Sequence, residues 1–178
     1  MKIIKTRFKG LEVIQQDIFK DKRGCLRVTH NQKLINKKGF IFEYCTNSKK
    51  NSLRGFHFQF KHQQAKYVSV IKGKILDCVI DLRKNSKTFC ESYQIILSDK
   101  NNMGLYIPAG FAHAYYSYEN ENIIYYKLNN YYQPKHEGGI NSLDKDLKIK
   151  WPGKLHLISK KDKNLDSLNI FKKKYKYL

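Results

Sequence analysis

Three side chains in the stretch Asn51 to Lys84 are of types that can move a proton or hold a developing charge: His57, Lys66 and Asp77. Imidazole titrates near neutrality, an ammonium steadies an anion, and a carboxylate orients either of them. Arg54 precedes His57 by one strand repeat and a residue. The runs around them are rich in aromatic and β-branched residues, and Asp77 falls inside the apolar run Lys74 to Leu82. A strand interior seldom takes a charged residue unless it is paired or has a task. A His, a Lys and an Asp on successive strands can meet inside a barrel. A second feature is Pro108-Ala109-Gly110-Phe111-Ala112-His113. Pro and Gly make a tight corner there, and the His lands on the next strand, pointing inward.

The elements that must position these residues read as short strands. Lys5 to Phe19 holds one or two, and Cys25 to Thr29 follows the turn Asp21-Lys22-Arg23-Gly24. Further strands are expected over Gly39 to Thr46, Leu53 to Phe60, Ala65 to Ile71, Lys74 to Leu82 and Phe89 to Leu97. Gly104 to Ile107, Ala114 to Tyr118 and Asn122 to Leu128 complete the set. Gly73 predicts a tight hairpin between its two neighbouring strands. Asn31 to Lys38 reads as a short helix or loop, and Ser159 to Ser167 as a short helix. The lysine-rich end, residues 168 to 178, reads as a frayed basic tail. Many short strands with turn signals between them predict an all-β antiparallel sandwich or barrel. No internal repeat is evident, and residues 1 to 178 read as one domain.

Composition supports that class. The chain has 178 residues, 41% of them hydrophobic and 13% aromatic, including thirteen Tyr, which suits a β-rich core. Its formal net charge of +20 would attract anions, but only five of the 35 basic residues are Arg. Dispersed Lys is a solvated surface more than a polyanion groove. The aromatics alternate with apolar strand residues and read as core, not as a stacking platform, so no nucleic-acid partner is expected. Cys25, Cys45, Cys78 and Cys90 form no C-x-x-C pair, and no apolar run is long enough for a signal peptide or a membrane span. No membrane association and cytoplasmic residence with reduced thiols are the expectation.

The Pro-x-Gly-x-x-His segment resembles the second motif of the cupins, double-stranded β-helices or jelly rolls with a central pocket. The first cupin motif would be His57-Phe58-Gln59, which lacks the second His and the following Glu of metal-binding members. Two His make a poor divalent site, so no metal and no cofactor are expected. At finer grain the chain resembles the nucleotide-sugar 3,5-epimerases. The resemblance rests on Asp21-x-Arg23-Gly24, Leu53-Arg54-Gly55-Phe56-His57-Phe58-Gln59, Gln64-Ala65-Lys66-Tyr67-Val68 and Asp77-x-x-x-Asp81-Leu82-Arg83. It continues through Ser86-x-Thr88-Phe89, Ile107-Pro108-x-Gly110-Phe111-Ala112-His113, Tyr131-Tyr132-x-Pro134-x-His136-Glu137, Asp146 to Pro152 and Ser159-x-x-Asp162.

That resemblance implies a cupin jelly roll with short peripheral helices, acting as a homodimer on a nucleotide-diphosphate sugar. It implies His57 as catalytic base, Asp162 as the carboxylate orienting it, Lys66 beside the C4 ketone and Tyr126 as the acid across the ring. Arg23, Arg54 and His113 would surround the diphosphate and sugar, with Gln59, Asp77 and Tyr132 also at the substrate site. Arg23 would act on the partner subunit's site. The chemistry asks for such residues. Hydrogens on C3 and C5 of a 4-keto sugar are acidified by the carbonyl, and their removal needs a base of near-neutral pKa. The enolate oxygen favours a fixed cation, and inversion needs a proton from the opposite face. Planar Arg forks suit a diphosphate. Strand alternation separates Tyr125 from Tyr126 but leaves open which points inward; the offset to Tyr132-x-Pro134 favours Tyr126. Asp77 is expected to orient Lys66 or a neighbouring polar group.

Four positions depart from the pattern. Leu26 and Val28 stand where an aromatic and a Glu are usual, and Phe42 and Tyr44 where Gln and Asn face the nucleoside. A GDP-linked 4-keto hexose or heptose, epimerisation at C3 alone, and a cupin 3,4-ketoisomerase are therefore alternatives to a dTDP-4-dehydrorhamnose type of 3,5-epimerisation. So is a binding cupin without catalysis.

Overall fold

A computed structural model describes residues 1–33, 39–153 and 157–175. Thirteen strands run in chain order: β1 (Lys2–Lys5), β2 (Glu12–Gln15), β3 (Ile18–Asp21), β4 (Gly24–Arg27), β5 (Phe42–Ser48), β6 (Leu53–Gln59), β7 (Lys66–Lys72), β8 (Lys74–Asp81), β9 (Ser92–Ser98), β10 (Met103–Ile107), β11 (Phe111–Ser117), β12 (Asn122–Leu128) and β13 (Glu137–Gly139). Two short helices follow, α1 (Lys160–Lys163) and α2 (Leu168–Lys174). Six strands form one antiparallel sheet in the order β1-β2-β10-β7-β12-β5, and five form a second in the order β13-β6-β11-β8-β9. The two sheets pack as the jelly roll that the strand pattern and the cupin resemblance predict. No helix among the described residues is long and apolar enough to cross a membrane.

The period-2 pattern decides which side chains enter the space between the sheets. Along β12, Ile124, Tyr126 and Leu128 are buried, while Ile123, Tyr125 and Lys127 lie on the other face. Along β11, Phe111 and Tyr115 join the core between the sheets, and Ala112 and Ala114 face the opposite way. One apolar cluster thus fills the interior with Val68, Val70, Ile75, Val79, Leu105 and Ile124. A second covers the outer face of the five-stranded sheet, where Phe56, Phe58, Cys78 and Ile80 meet Ile140, Leu168 and Phe171.

Several expectations need correction. Gly73 does not close a hairpin, because β7 and β8 lie in different sheets. Its φ of +89° turns the chain at a corner, and an added Cβ would stand 2.5 Å from the Glu121 carbonyl. Lys5 to Phe19 holds β2 and the start of β3, in line with the one or two strands expected there, while β1 ends at Lys5. The C-terminal stretch is not a frayed tail up to Tyr175: α2 is capped by Ser167, and Phe171 is 1% exposed against the edge of Phe58. Leu168, Phe171 and Tyr175 recur at helical spacing, which draws this lysine-rich segment onto the sheet. Residues 34–38 and 176–178, parts of the predicted loop and tail, lie outside the described residues.

Candidate active site

One cavity of ≈ 570 Å³ opens between the inner faces of the two sheets. His57 of β6, Lys66 of β7, His113 of β11, Tyr126 of β12 and Asp162 of α1 all line it. Arg54, Tyr44, Thr46 and Tyr115 complete the polar and aromatic part of its wall. The side chains converge because the sheets alternate along the chain. β6, β8 and β11 belong to one, β7, β10 and β12 to the other, so each crossover carries a new residue to the opposite wall.

His57 Nε2 is 2.9 Å from Asp162 Oδ1. The other carboxylate oxygen accepts the Gly55 backbone N–H at 3.1 Å. Ser159 caps the single turn of α1 by accepting the Asp162 N–H, which fixes where the carboxylate points. Burial pushes the Asp162 carboxyl up, but the imidazole and the Gly55 N–H outweigh it and hold its pKa below the usual carboxylate value. Asp162 therefore holds Nε2–H as donor, which leaves Nδ1 with its lone pair.

A second carboxylate approaches that nitrogen. Glu137 Oε1 is 4.0 Å from His57 Nδ1. Burial raises the Glu137 pKa, yet bonds from Lys161 Nζ at 2.5 Å and the Tyr132 hydroxyl at 2.6 Å, with His57 close by, bring it below the usual value. Sequence reasoning quoted Glu137 within a motif and gave it no task. Its place three residues after Pro134, in Tyr132-x-Pro134-x-His136-Glu137, was its only signal.

On the opposite wall, burial draws the Lys66 ammonium down to about 8, against the pull of Glu137 and Asp77. Asp77 Oδ2 receives His113 Nε2 at 2.8 Å, so the neighbouring polar group that it orients is His113. Asp77 Oδ1 has no hydrogen-bond partner among the described residues. Tyr126 is 3% exposed, and burial holds its phenol well above its ordinary pKa. Tyr44 stacks on it with centroids 4.8 Å apart and planes at 20°. Tyr125, on the other face of β12, donates to Glu43.

Four predicted residues do not line this cavity: Asp77, which is bonded to His113, and Arg23, Gln59 and Tyr132. Arg23 sits on the β3–β4 turn, exposed and ion-paired with Asp21 at 2.6 Å. Gln59 is buried and spends its amide on the His62 carbonyl and the Gln133 N–H. Tyr132 flanks the cavity behind Glu137. Leu26 is exposed on the same hairpin as Arg23, whereas Tyr44 lines the cavity and, with Phe42, Leu128 and Tyr132, a separate pocket as well. Among the described residues, no group of three or more His, Cys, Asp or Glu could hold a metal ion.

Comparison with known proteins gives this geometry its context. Residues 5–169 match the family model described as dTDP-4-dehydrorhamnose 3,5-epimerase. The enzyme of that name from Methanothermobacter thermautotrophicus is 37% identical over 170 residues, covering 92% of each chain. A dTDP-6-deoxy-D-glucose-3,5-epimerase from Legionella pneumophila, solved with dTDP-4-keto-L-rhamnose, superposes with a TM-score of 0.91. It is 34% identical and covers 95% of this chain and 93% of its own. A 3′-monoepimerase from Streptomyces bikiniensis, solved with dTDP-quinovose, gives 0.90 at 26% identity, covering 94% of this chain and 88% of its own.

Proposed function

This chain belongs to the dTDP-4-dehydrorhamnose 3,5-epimerase family, and we propose that it epimerises a dTDP-linked 4-keto-6-deoxy sugar by proton transfer across the sugar ring. The observation that carries this reading is one cavity lined by an imidazole, an ammonium and a buried phenol, with a carboxylate bonded to the imidazole. His57 removes the proton α to the C4 carbonyl through its free nitrogen. The electron pair moves onto O4, where Lys66 stabilises it in a site partly screened from water. Tyr126 then delivers its proton to the other face of the same carbon, and the configuration inverts. Asp162 holds the His57 ring in one tautomer and steadies the imidazolium, as carboxylates do in other His–Asp pairs. Arg54 and His113 receive the diphosphate and the sugar. The base is taken as thymine because the relatives are named for dTDP sugars; Phe42 and Tyr44 would meet its ring by stacking instead of hydrogen bonding.

The test is solvent deuterium exchange into dTDP-4-keto-6-deoxyglucose. Label is expected at both C3 and C5, with His57→Ala and Tyr126→Phe each lowering turnover at least ~10²-fold. Label at C3 alone would make the chain a monoepimerase, an outcome kept open by its likeness to the S. bikiniensis enzyme. A carbonyl moved to C3, or no exchange at either carbon, would overturn the proposal.

A further inference from the structure

β5 is the edge strand of the six-stranded sheet, and it pairs with β12 in a register that sets Tyr44 opposite Tyr126 and Phe42 opposite Leu128. Phe42 lies one strand repeat beyond Tyr44 on the same face, about 7 Å along the strand. The two rings touch, with centroids 5.6 Å apart, and Tyr131 meets Phe42 at 6.0 Å. Tyr44 is a wall of the catalytic cavity. It is also a wall of a second pocket of ≈ 300 Å³, shared with Phe42, Gln64, Leu128 and Tyr132. A ligand whose reacting carbon lies near Tyr126 and whose other end is a flat ring has these aromatic faces within one strand repeat of the acid.

The polar atoms of this second pocket offer that ring little to read. The Tyr132 hydroxyl spends its proton on Glu137 Oε2 at 2.6 Å. Gln64 Nε2 donates to the Asn130 carbonyl at 3.0 Å, which ties the amide to the backbone. The Tyr44 hydroxyl rotates and can either donate or accept, so it does not tell one from the other on a partner. Among the described residues no charged side chain lines the pocket. Its two tyrosines are open to water, Tyr44 at 37% exposure and Tyr132 at 47%. The polar edge of a ring lying against them can therefore be satisfied by solvent, whatever its pattern of donors and acceptors.

Resting on the proposed reading of the cavity as the site of a nucleotide-linked 4-keto sugar, we infer that Phe42, Tyr44 and Tyr132 hold the nucleobase by its faces and leave its edge unread, so that the protein does not select among pyrimidine nucleotides. Stacking on an aromatic side chain is worth about five- to a hundredfold in affinity and tolerates any base, because every base has a π face. A site built on hydrogen bonds to an edge instead rejects the wrong partner by about 10⁴- to 10⁵-fold. Selection then rests on the ketone-bearing sugar, where His57, Lys66 and Tyr126 converge.

The experiment compares one sugar, 4-keto-6-deoxyglucose, carried on dTDP, dUDP and dCDP, by solvent deuterium exchange. Dissociation constants of the three free deoxynucleoside diphosphates are measured by calorimetry. Cytosine is the decisive probe, since it has an acceptor at position 3 and a donor at position 4 where thymine has the reverse. Both kcat/KM and Kd are expected to agree within about tenfold across the three bases, and a larger preference in either would overturn the inference. Phe42→Ala should raise KM for all three substrates by a common factor of about five to a hundred, with kcat within about twofold. A rise confined to one base would also overturn it. Failure of the parent reading looks different: no label would enter any of the three sugars, while the three dissociation constants would still decide how the base is held.

Discussion

Lys66 carries an ammonium whose pKa burial has drawn down to about 8. In the unfolded chain a Lys titrates near 10.4. Between those values the unfolded state binds more protons, so the fold gains stability as pH rises through that window and carries the full cost of the buried charge below it. Lys66→Met should therefore stabilise the protein at pH 7 by roughly 1–3 kcal/mol, seen as a higher Tm, while epimerisation falls ~10²-fold or more. The wild-type kcat/KM should decline as pH passes about 8, because only the cation steadies the enolate. A profile flat to pH 10 would remove Lys66 from the mechanism. The sequence exposed this residue, since a Lys among apolar strand residues is conspicuous. It could not settle Tyr125 against Tyr126, because a period of 2 defines two faces without saying which faces in. The structure decides through the sheet partner of β12. Glu137 escaped for the opposite reason: β13 is only three residues long, too short to show a period, and only its pairing with β6 brings Glu137 to 4.0 Å from His57.

The β6–β11 pair and the β8 turn hold these side chains in register. Gly55, at φ +107°, lies so close to β11 that a Cβ would stand 2.4 Å from the His113 carbonyl. Gly55→Ala should both strain the backbone and part the strands that carry His57 and His113. Its expected signature is a lower Tm together with lost turnover, even though no functional group is removed. At the other end of β8, Asp81 accepts Arg83 Nε at 2.8 Å, Ser86 Oγ at 2.6 Å and Thr88 Oγ1 at 2.7 Å. Burial raises its pKa, but these bonds more than reverse that and lower it. Its contribution is thus complete above about pH 4 and disappears as pH falls through the lowered folded value. Asp81→Ala leaves a half-buried guanidinium unpaired and should cost roughly 3–5 kcal/mol in urea unfolding at pH 7. A loss under 1 kcal/mol would show the turn to be held by something else. The motif Asp81-Leu82-Arg83 with Ser86-x-Thr88 was visible as part of the family pattern. Its meaning as a turn lock was not, because hydrogen-bond partners five and seven residues away carry no spacing rule. The Gly73 error has a similar root: a turn signal says that the chain reverses, not which sheet receives it. The lysines around Phe171 hid a helical repeat whose apolar members cover the outer sheet, and Phe171→Ala should destabilise the protein by about 3–5 kcal/mol.

Among the described residues one element stands outside the two large sheets. β3 and β4 pair only with each other, in a two-stranded sheet tied to the body by Arg27 donating to the Val70 carbonyl at 2.8 Å. Phe19 and Leu26 are cross-strand partners on this hairpin, and each is 62% exposed. An isolated hairpin is marginal in water and gains from an apolar partner. Arg23 is exposed on its turn and does not line the cavity that holds His57 and Tyr126. Both facts fit a second copy of the chain, with each hairpin laid on the neighbour and each Arg23 offered to the neighbour's site. A closed two-fold pair satisfies both hairpins at once. The protein is therefore expected to sediment as a dimer, and Phe19→Asp with Leu26→Asp to sediment as a monomer with raised KM. Sharing of sites can be tested directly by mixing defects. Arg23→Ala lacks the donated cation and Tyr126→Phe lacks the acid, so homodimers of either are weak. Refolded together, they form mixed dimers in which one site collects both defects and the other collects neither. About a quarter of all sites should then be intact, and activity should recover to that extent. If Arg23 serves the site of its own chain, mixing restores nothing, because every site keeps one defect whichever copy sits beside it.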